Sequence, residues 1–384
     1  RYHKVTGVQT CALPILLTTV LPDEMPQRGD DDSEECENMT EVLDVRKMRI
    51  LQAIVDDYIL TASPVGSRTL SKRDDIELSP ATIRNEMSDL TELGFLEQPH
   101  TSAGRIPSEK AYRLYVNSIM DRAKLTDEEA EYIRRHLNTR VSEVGEVIRE
   151  TARMLSGITK YTSVVQTPQI KNARFKRISL IPVTDGKALA VIVTNNGATS
   201  SRMLSVPAGV TPRSIEQLAE LMNERLAGYK LTDAQNTLLP LLKEEIGEQA
   251  ETVAAMLQPL TNSLNKQEVE VVGAANMLNY PEYSDVAKAK SFLSEVENGS
   301  CIQQVFTQNK DGVELTVRIG TENDNPELKD CSVVTVNYRV GNEQAGSMGV
   351  IGPTRMDYGK VVAVLKCVSE NLSNVLSDML KKNE

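Results

Sequence analysis

The feature that most constrains this chain is a serine–proline pair at the start of an amphipathic helix. Ser79 is a favoured N-cap residue, and Pro80 would occupy the first helical position, where a missing N–H loses no hydrogen bond. Gly94 predicts the C-terminal end of the helix. The apolar positions between them recur at steps of three and four and predict one buried stripe: Ile83, Met87 and Leu90.

A second amphipathic pattern precedes this helix. Its apolar residues predict one helix with a single buried face: Val45, Met48, Leu51, Ile54, Val55, Tyr58 and Ile59. Pro64 and Gly66 interrupt the pattern, and Ser67 predicts the cap of a short helix, SRTLSKR, that buries Leu70. Two helices, a short turn and a capped third helix are typical of a helix-turn-helix.

The segment after the third helix has the pattern of a β-hairpin. In FLEQPHTSAGRIPS, strand residues flank a turn-forming stretch from Thr101 to Gly104, and Pro107 ends the return strand. A hairpin in this place predicts the wing of a winged helix. Its basic residues His100 and Arg105 are suited to contacting phosphate.

The outward face of the third helix is suited to a DNA major groove. Small and amide side chains let a helix approach the bases, whose edges arginine and asparagine can read. We therefore predict these DNA-binding residues: Ser67, Arg68, Ser79, Ala81, Thr82, Arg84, Asn85, His100, Thr101, Ser102 and Arg105. The alternative is a winged helix that contacts only proteins. Residues 43–122 carry eleven basic and twelve acidic side chains, so their net charge does not favour DNA binding over protein binding.

Composition excludes several classes of protein. No apolar run reaches the roughly 18 residues that span a bilayer, so we expect no integral membrane protein and no membrane partner. Trp is absent and Phe occurs four times, so aromatic stacking is not the main binding device. The five cysteines include no C-x-x-C pair, which fits a reducing, cytoplasmic compartment. The net charge of −11 requires any DNA contact to come from a local patch.

Residues for catalysis or for a metal site are scarce. The chain has three histidines, and it lacks the motifs H-E-x-x-H, G-x-S-x-G and G-x-G-x-x-G. Cys301, Cys331 and Cys367 are predicted to be buried small hydrophobes rather than ligands. We therefore expect no enzyme, no cofactor and no metal site.

Residues 1–40 differ from the rest of the chain. The apolar stretch from Ala12 to Leu21 is short and contains Pro14, and an acidic cluster follows it instead of a signal-peptide cleavage site. The opening string RYHKVTGVQTCALPI looks like translated sequencing-adapter read-through. Two interpretations are open: an artefact and a disordered natural tail. Regular patterning begins directly after Met39, which is therefore the candidate start.

The remainder of the chain has the pattern of an α+β protein. An apolar stripe from Ile133 to Leu155 predicts one long helix. Six strands are predicted at 178–183, 188–194, 202–206, 313–319, 333–338 and 346–351, and helices at 212–228, 235–265 and 361–379. We expect the strands to form one antiparallel sheet, interrupted by a helical insertion, as in sensor-type domains.

The loop GVIGPTRMDYG, from Gly349 to Gly359, is the most motif-like stretch outside the winged helix. Arg355 and the glycine backbone could hold an anion, although no G-K-[ST] follows the glycines as in a P-loop. The preferred interpretation is structural: Gly352 and Pro353 end a strand, and Arg355 lies in a domain interface.

Three stretches resemble the family of heat-inducible transcription repressors named HrcA. They are KMRILQAIVDDYILTASPVGSRTL, LSPATIRNEMSDLTELGFLEQPHTSAGRIPSEKAYRLYV with the unusual wing HTSAGRIPS, and AGSMGVIGPTRMDYGKVVAVL. The resemblance implies a bacterial repressor of chaperone genes that binds an inverted-repeat operator, called CIRCE, on double-stranded DNA as a homodimer and is modulated by the chaperonin GroEL. A ligand-responsive transcription factor, with a small-molecule site in its sheet domain, is the alternative.

The resemblance also implies a domain plan. The expected fold is α+β: an N-terminal winged helix-turn-helix, then a GAF-like domain that carries a helical inserted dimerisation domain. The expected divisions are a tail at 1–40, a winged helix at 41–122, a discontinuous GAF-like domain at 123–208 and 282–384, and an inserted domain at 209–281.

Overall fold

The computed structural model describes residues 43–100, 103–119, 124–137, 143–168, 174–184, 186–195, 199–207, 210–230, 268–299 and 314–381, with a few isolated positions between them. The tail predicted at 1–40, with its alternative interpretations, lies outside the described residues. Most of the helix predicted at 235–265 does so too. The α+β class predicted from the sequence is confirmed.

The N-terminal region consists of helices followed by a short antiparallel ribbon. Its elements are α1 (Val45–Thr61), α2 (Ser67–Leu70), α3 (Pro80–Glu92), β1 (Leu96–Glu97), β2 (Ile106–Pro107) and α4 (Glu109–Leu114). Most of the apolar stripes predicted for α1 and α3 face one another across a core that includes Leu51, Ile54, Ile83 and Leu90, each fully buried. Val45 is an exception: it begins α1 and is 78% exposed, so its predicted burial is wrong. A π-helical turn, Tyr115–Ile119, follows α4 directly.

The ends of these helices follow from local chemistry. Asp44 caps α1, since its carboxylate accepts a hydrogen bond from the Lys47 N–H at 2.8 Å. Gly94 has φ +79°, a left-handed conformation that favours glycine after a helix end. The predicted cap of α2 is different in the structure: Gly66 is the N-cap residue, and Ser67 is already helical.

The largest unit of regular structure is a five-stranded antiparallel sheet with the order β7-β3-β10-β9-β8. Its strands, in chain order, are β3 (Thr162–Gln166), β7 (Val269–Val272), β8 (Leu315–Ile319), β9 (Cys331–Val340) and β10 (Glu343–Pro353). β3 and β9 flank β10 and are almost wholly buried.

Helices cover both faces of this sheet. They are α6 (Val144–Thr159), α8 (Val286–Asn298) and α9 (Tyr358–Lys381), while α5 (Asp127–Leu137) packs on α6 and α9. α6 and α9 lie on one face, where the Ser163 hydroxyl donates to the Ala152 carbonyl and Ser332 bonds the Tyr358 hydroxyl. On the opposite face, Phe292 of α8 packs in a core with Val164 of β3 and Val333 of β9, which directly follow Ser163 and Ser332.

A second, three-stranded sheet is built from the chain between β3 and β7. Its antiparallel strands are β4 (Phe175–Thr184), β5 (Lys187–Thr194) and β6 (Thr199–Ser205), and α7 (Pro212–Leu226) packs against them. This sheet and α7 share a hydrophobic core of their own. Thr211 caps α7, with Pro212 at the first helical position.

Two expectations from the sequence are wrong in detail. The strands at 178–206 do not join those at 313–351 in one interrupted sheet, since β4–β6 pair with one another in the three-stranded sheet. The apolar stripe from Ile133 to Leu155 is divided between α5 and α6, because Glu143 is extended, with φ −117° and ψ 131°, and serves as the N-cap of α6. A regular apolar period shows which residues face a core, but it does not show whether the backbone between them stays helical.

Candidate nucleic-acid interface

Helix α3 is anchored at its start by side-chain chemistry. The Ser79 hydroxyl accepts a hydrogen bond from the Thr82 N–H at 3.1 Å, and Pro80 occupies the first turn, as the sequence predicts. Ile83 and Leu90 are fully buried and Met87 is 4% exposed, so this side of α3 belongs to the core. The opposite face is exposed and presents Ala81, Arg84, Asn85 and Ser88.

An ion-pair cluster holds α3 against α1. Glu86, only 9% exposed, contacts the Lys47 ammonium at 2.9 Å and the Arg46 guanidinium at 3.4 Å. Lys47 also contacts Asp89 at 3.1 Å. Glu86 and Asp89 raise the pKa of Lys47 to about 12. The charge of Lys47 is therefore balanced within the protein, whereas Arg46 stays 57% exposed. The sequence analysis did not identify this cluster.

The ribbon after α3 is attached to the preceding turn. Arg105 and Val65 exchange two backbone hydrogen bonds, of 2.9 and 2.8 Å. Gly104 lies so close to the backbone of Pro64 and Val65 that a Cβ atom would clash there. The Arg105 Nε donates to the Thr91 hydroxyl at 3.0 Å, so this side chain links the ribbon to α3. The ribbon thus has a defined position beside the exposed face of α3.

The predicted DNA-binding residues have different exposures. Those that are exposed are Arg68, Ser79, Ala81, Arg84, Asn85 and His100; Thr82 and Arg105 are half-buried. Ser67 is buried at the start of α2, with 9% exposure. Thr101 and Ser102 lie outside the described residues.

Two cations next to the ribbon have partners within the protein, although Lys110 is exposed. The Lys110 ammonium lies 4.6 Å from the centre of the Phe95 ring and donates to the Leu93 carbonyl at 3.2 Å. Arg113 forms an ion pair with Glu322 and donates to the Val317 carbonyl at 2.7 Å. In this conformation, Arg113 serves the contact with the five-stranded sheet and is not available to phosphate.

The loop after β10 has the structural role that the sequence analysis preferred. The Arg355 side chain is 9% exposed and forms an ion pair with Glu282. Its guanidinium also lies 5.4 Å from the centre of the Tyr280 ring. Since Arg355 is engaged within the protein, it is not a free anion-binding group.

Side chains that could bind a metal ion do not cluster in the described part of the chain. No cluster of three or more histidine, cysteine, aspartate or glutamate side chains there could hold a metal ion. Cys331 is fully buried, and burial raises its pKa to about 11, so it is an unreactive small hydrophobe, as predicted. Cys367 is only partly buried, and Cys301 lies outside the described residues. None of the described helices is long and apolar enough to cross a membrane.

Comparisons with known proteins agree on one family. Residues 145–362 match the family model of the HrcA protein C terminal domain. The heat-inducible transcription repressor HrcA of Pelotomaculum thermopropionicum is 42% identical over 342 residues, which cover 88% of this chain and 98% of that protein. The protein of the same name from Brevibacillus brevis is 42% identical and covers 89% of this chain, over its whole length. That of Desulforamulus reducens is 40% identical, with coverages of 88% and 99%.

One solved structure has a similar fold along most of the chain. It is a crystal structure of a hypothetical protein at 2.2 Å resolution, with a TM-score of 0.61 and 23% sequence identity. The match covers 88% of this chain and 99% of that one. At this identity the likeness concerns the fold alone.

Proposed function

Since this chain belongs to the HrcA family of heat-inducible transcription repressors, which are not enzymes, we propose that residues 41–122 form a winged helix that binds operator DNA. One observation carries the proposal: α3 is capped, packed on one side and exposed on the other, where it presents Ala81, Arg84, Asn85 and Ser88. A helix with small and amide side chains on its free face fits a major groove. The ribbon from β1 to β2 acts as the wing on the adjacent backbone.

We propose that the operator is an inverted repeat of the CIRCE type. One winged helix contacts too few base pairs to select a site within a genome. Two copies related by a two-fold axis double the contacted sequence and require half-sites that are about one or two helical turns apart. Occupying such a site next to a promoter of heat-shock genes would block transcription in the cytoplasm.

The proposed homodimer forms through the three-stranded sheet. Ile181 of β4, Leu189 of β5 and Met203 of β6 lie directly opposite one another on its outer face. Ile181 is 49% exposed and Met203 is 53% exposed, while Val183 nearby is 52% exposed. Leu189 between them is partly buried. A contiguous apolar surface of this kind is typical of a protein interface.

The separate core of β4–β6 and α7 also bears on the domain plan. We propose that the inserted dimerisation domain is the segment between β3 and β7, residues 167–268, and therefore begins before residue 209. The five-stranded sheet with α5, α6, α8 and α9 would then be the GAF-like domain. Modulation by the chaperonin GroEL is proposed on the family resemblance alone.

A gel shift with purified protein tests the DNA-binding proposal. The probes are an inverted-repeat duplex, one half-site and a duplex with a scrambled sequence of the same composition. We expect the inverted repeat to be bound tightest and to resist scrambled competitor, because specific sites bind at least about 10³-fold tighter than non-specific DNA. Equal binding of the repeat and the scrambled duplex would contradict the proposal. A refolding series with and without chaperonin tests the modulation: equal operator binding in both contradicts it.

A further inference from the structure

The C-terminus of α1 has a partner from the opposite end of the chain. Helix ends leave backbone carbonyls without intrahelical hydrogen bonds, and a cation there is favoured by the helix dipole. The Nη1 group of Arg355 donates to the Ile59 carbonyl at 2.9 Å, although 296 residues separate the two in sequence. Arg355 therefore connects the loop after β10 to the helix on which α3 packs.

Arg355 is itself held in a defined position. Its Nε and Nη2 groups both bond the Glu282 carboxylate, and the Tyr280 ring lies beside the guanidinium. The loop that carries it is close-packed: Met356 is fully buried, and a Cβ atom at Gly352 would collide with the Tyr161 ring. A planar guanidinium with fixed partners on both sides transmits position better than a flexible cation does.

A second attachment joins the same two parts of the protein. Glu109, at the start of α4, accepts hydrogen bonds from the Thr321 N–H at 3.2 Å and from its hydroxyl. One turn later, Arg113 pairs with Glu322. Two separate attachments prevent a rotation that either one alone would permit.

The helices of the N-terminal region are also held to one another. The Lys47–Glu86 ion pair joins α1 to α3, and the Tyr115 hydroxyl after α4 donates to Asp56 of α1 at 2.7 Å. The orientation of α1 therefore determines the orientation of α3.

We infer that Arg355 is a positioning residue for operator binding: it acts through the C-terminus of α1 to set the direction of α3 relative to the sheet domain. The inference rests on the proposed function. In a dimer, both copies of α3 must meet half-sites at one spacing, so a fixed orientation favours binding of the second half-site and selects the spacing. Binding of a single half-site does not depend on this orientation.

The test uses the full chain with the double substitution Arg355→Gln and Glu282→Gln, which removes the ion pair without leaving a buried charge unpaired. The matched control is Arg153→Gln with Glu150→Gln, an exposed ion pair on α6. Affinities are measured by fluorescence anisotropy for the inverted repeat, for repeats with one base pair added or removed between the half-sites, and for one half-site. Circular dichroism reports folding.

We expect the Arg355/Glu282 variant to bind the inverted repeat on the order of tenfold more weakly, because the second half-site is no longer presented in the required orientation. It should also discriminate less between spacings and bind the half-site as the wild type does. The control should match the wild type in its affinity for the inverted repeat, its discrimination between spacings and its affinity for the half-site. Unchanged spacing discrimination, or an equal loss on repeat and half-site with a lowered Tm, overturns the inference. Failure of the wild type itself to prefer the inverted repeat overturns the proposed function instead.

Discussion

Glu86 of α3 and Lys47 of α1 form an ion pair of 2.9 Å beneath an exposed helix face, and both side chains are mostly buried, with 11% and 18% exposure. The charge of Glu86 is thus used to hold α3, while the neighbouring Arg84 and Asn85 remain exposed. The helical period along α3 places this structural contact and the proposed recognition surface on opposite sides of one helix.

Replacing Arg84 or Asn85 by alanine should weaken operator binding. Each substitution is expected to cost about 1–3 kcal/mol, since each removes hydrogen bonds to base edges from an exposed side chain. A gel shift on the inverted repeat measures the loss, and Lys366→Ala on the exposed side of α9 is the control for removing one surface charge. Unchanged affinity in both α3 variants would remove the recognition role of this helix.

Arg105→Ala should weaken specific and non-specific DNA binding alike and lower the dependence of affinity on salt concentration, because a lost phosphate contact releases fewer counterions. The Arg105 Nε also donates to Thr91, so the variant tests two roles at once. Thr91→Val separates them, since it removes this hydrogen bond and keeps the positive charge. A salt slope lowered as much by Thr91→Val as by Arg105→Ala would contradict the phosphate role.

Glu86→Gln should destabilise the protein by about 1–2 kcal/mol, because it leaves a largely buried lysine with one acidic partner fewer. Chemical denaturation measures the change, and Glu92→Gln is the matched control, since Glu92 is an exposed carboxylate of the same helix. Equal stability of the two variants would show that the ion-pair cluster contributes nothing.

The same cluster predicts a pH dependence at the alkaline end. The pKa of Lys47 is raised in the folded protein from 10.5 to about 12, so its stabilisation is complete below pH 10.5 and is lost as the pH rises through about 12. The stability difference between the wild type and a Lys47→Met variant should therefore shrink over this interval. Burial raises the pKa of Tyr112, Tyr161 and Tyr358 above this interval in both proteins, so the contribution of these tyrosines cancels in the difference. A difference that stays constant from pH 9 to 12 would exclude the ion pair as its source.

Met203→Glu should dissociate the proposed homodimer, since a carboxylate on the outer face of the three-stranded sheet would have to be desolvated in the interface. Sedimentation velocity measures the change of oligomeric state. The control is Val286→Glu at the start of α8, which also introduces a charge at an exposed apolar position, with 81% exposure. Dissociation by both variants, or by neither, would contradict the proposed interface.

Part of this picture is local and could be predicted. The Ser79 cap, Pro80 and Gly94 delimit α3 within a residue or two, because caps and breakers act through neighbouring backbone groups. β-Branched residues between turn signals predict strands within 178–206 and 313–351, and the structure has strands in both ranges. The last helix is also predicted correctly. The exposed face of α3 follows from the helical period alone.

Other elements gave no such signal. β3 is buried at all five positions and has no alternation, and β7 is only four residues long, so neither was predicted. The division of the strands between two sheets depends on pairings between distant residues. So does the bond from Arg355 to the Ile59 carbonyl, which no spacing in the sequence indicates.

The order of residues along this chain was enough to specify where α3 begins and ends and which sides of the helices are apolar, since both depend on neighbours within a few positions, and its longer stretches were enough to show which family the protein resembles. Which strands share a sheet, where the stripe after Ile133 is broken, and which cation meets the end of α1 emerged only when distant segments packed together. Those outcomes depend on the geometry of a folded core, which a one-dimensional pattern does not contain.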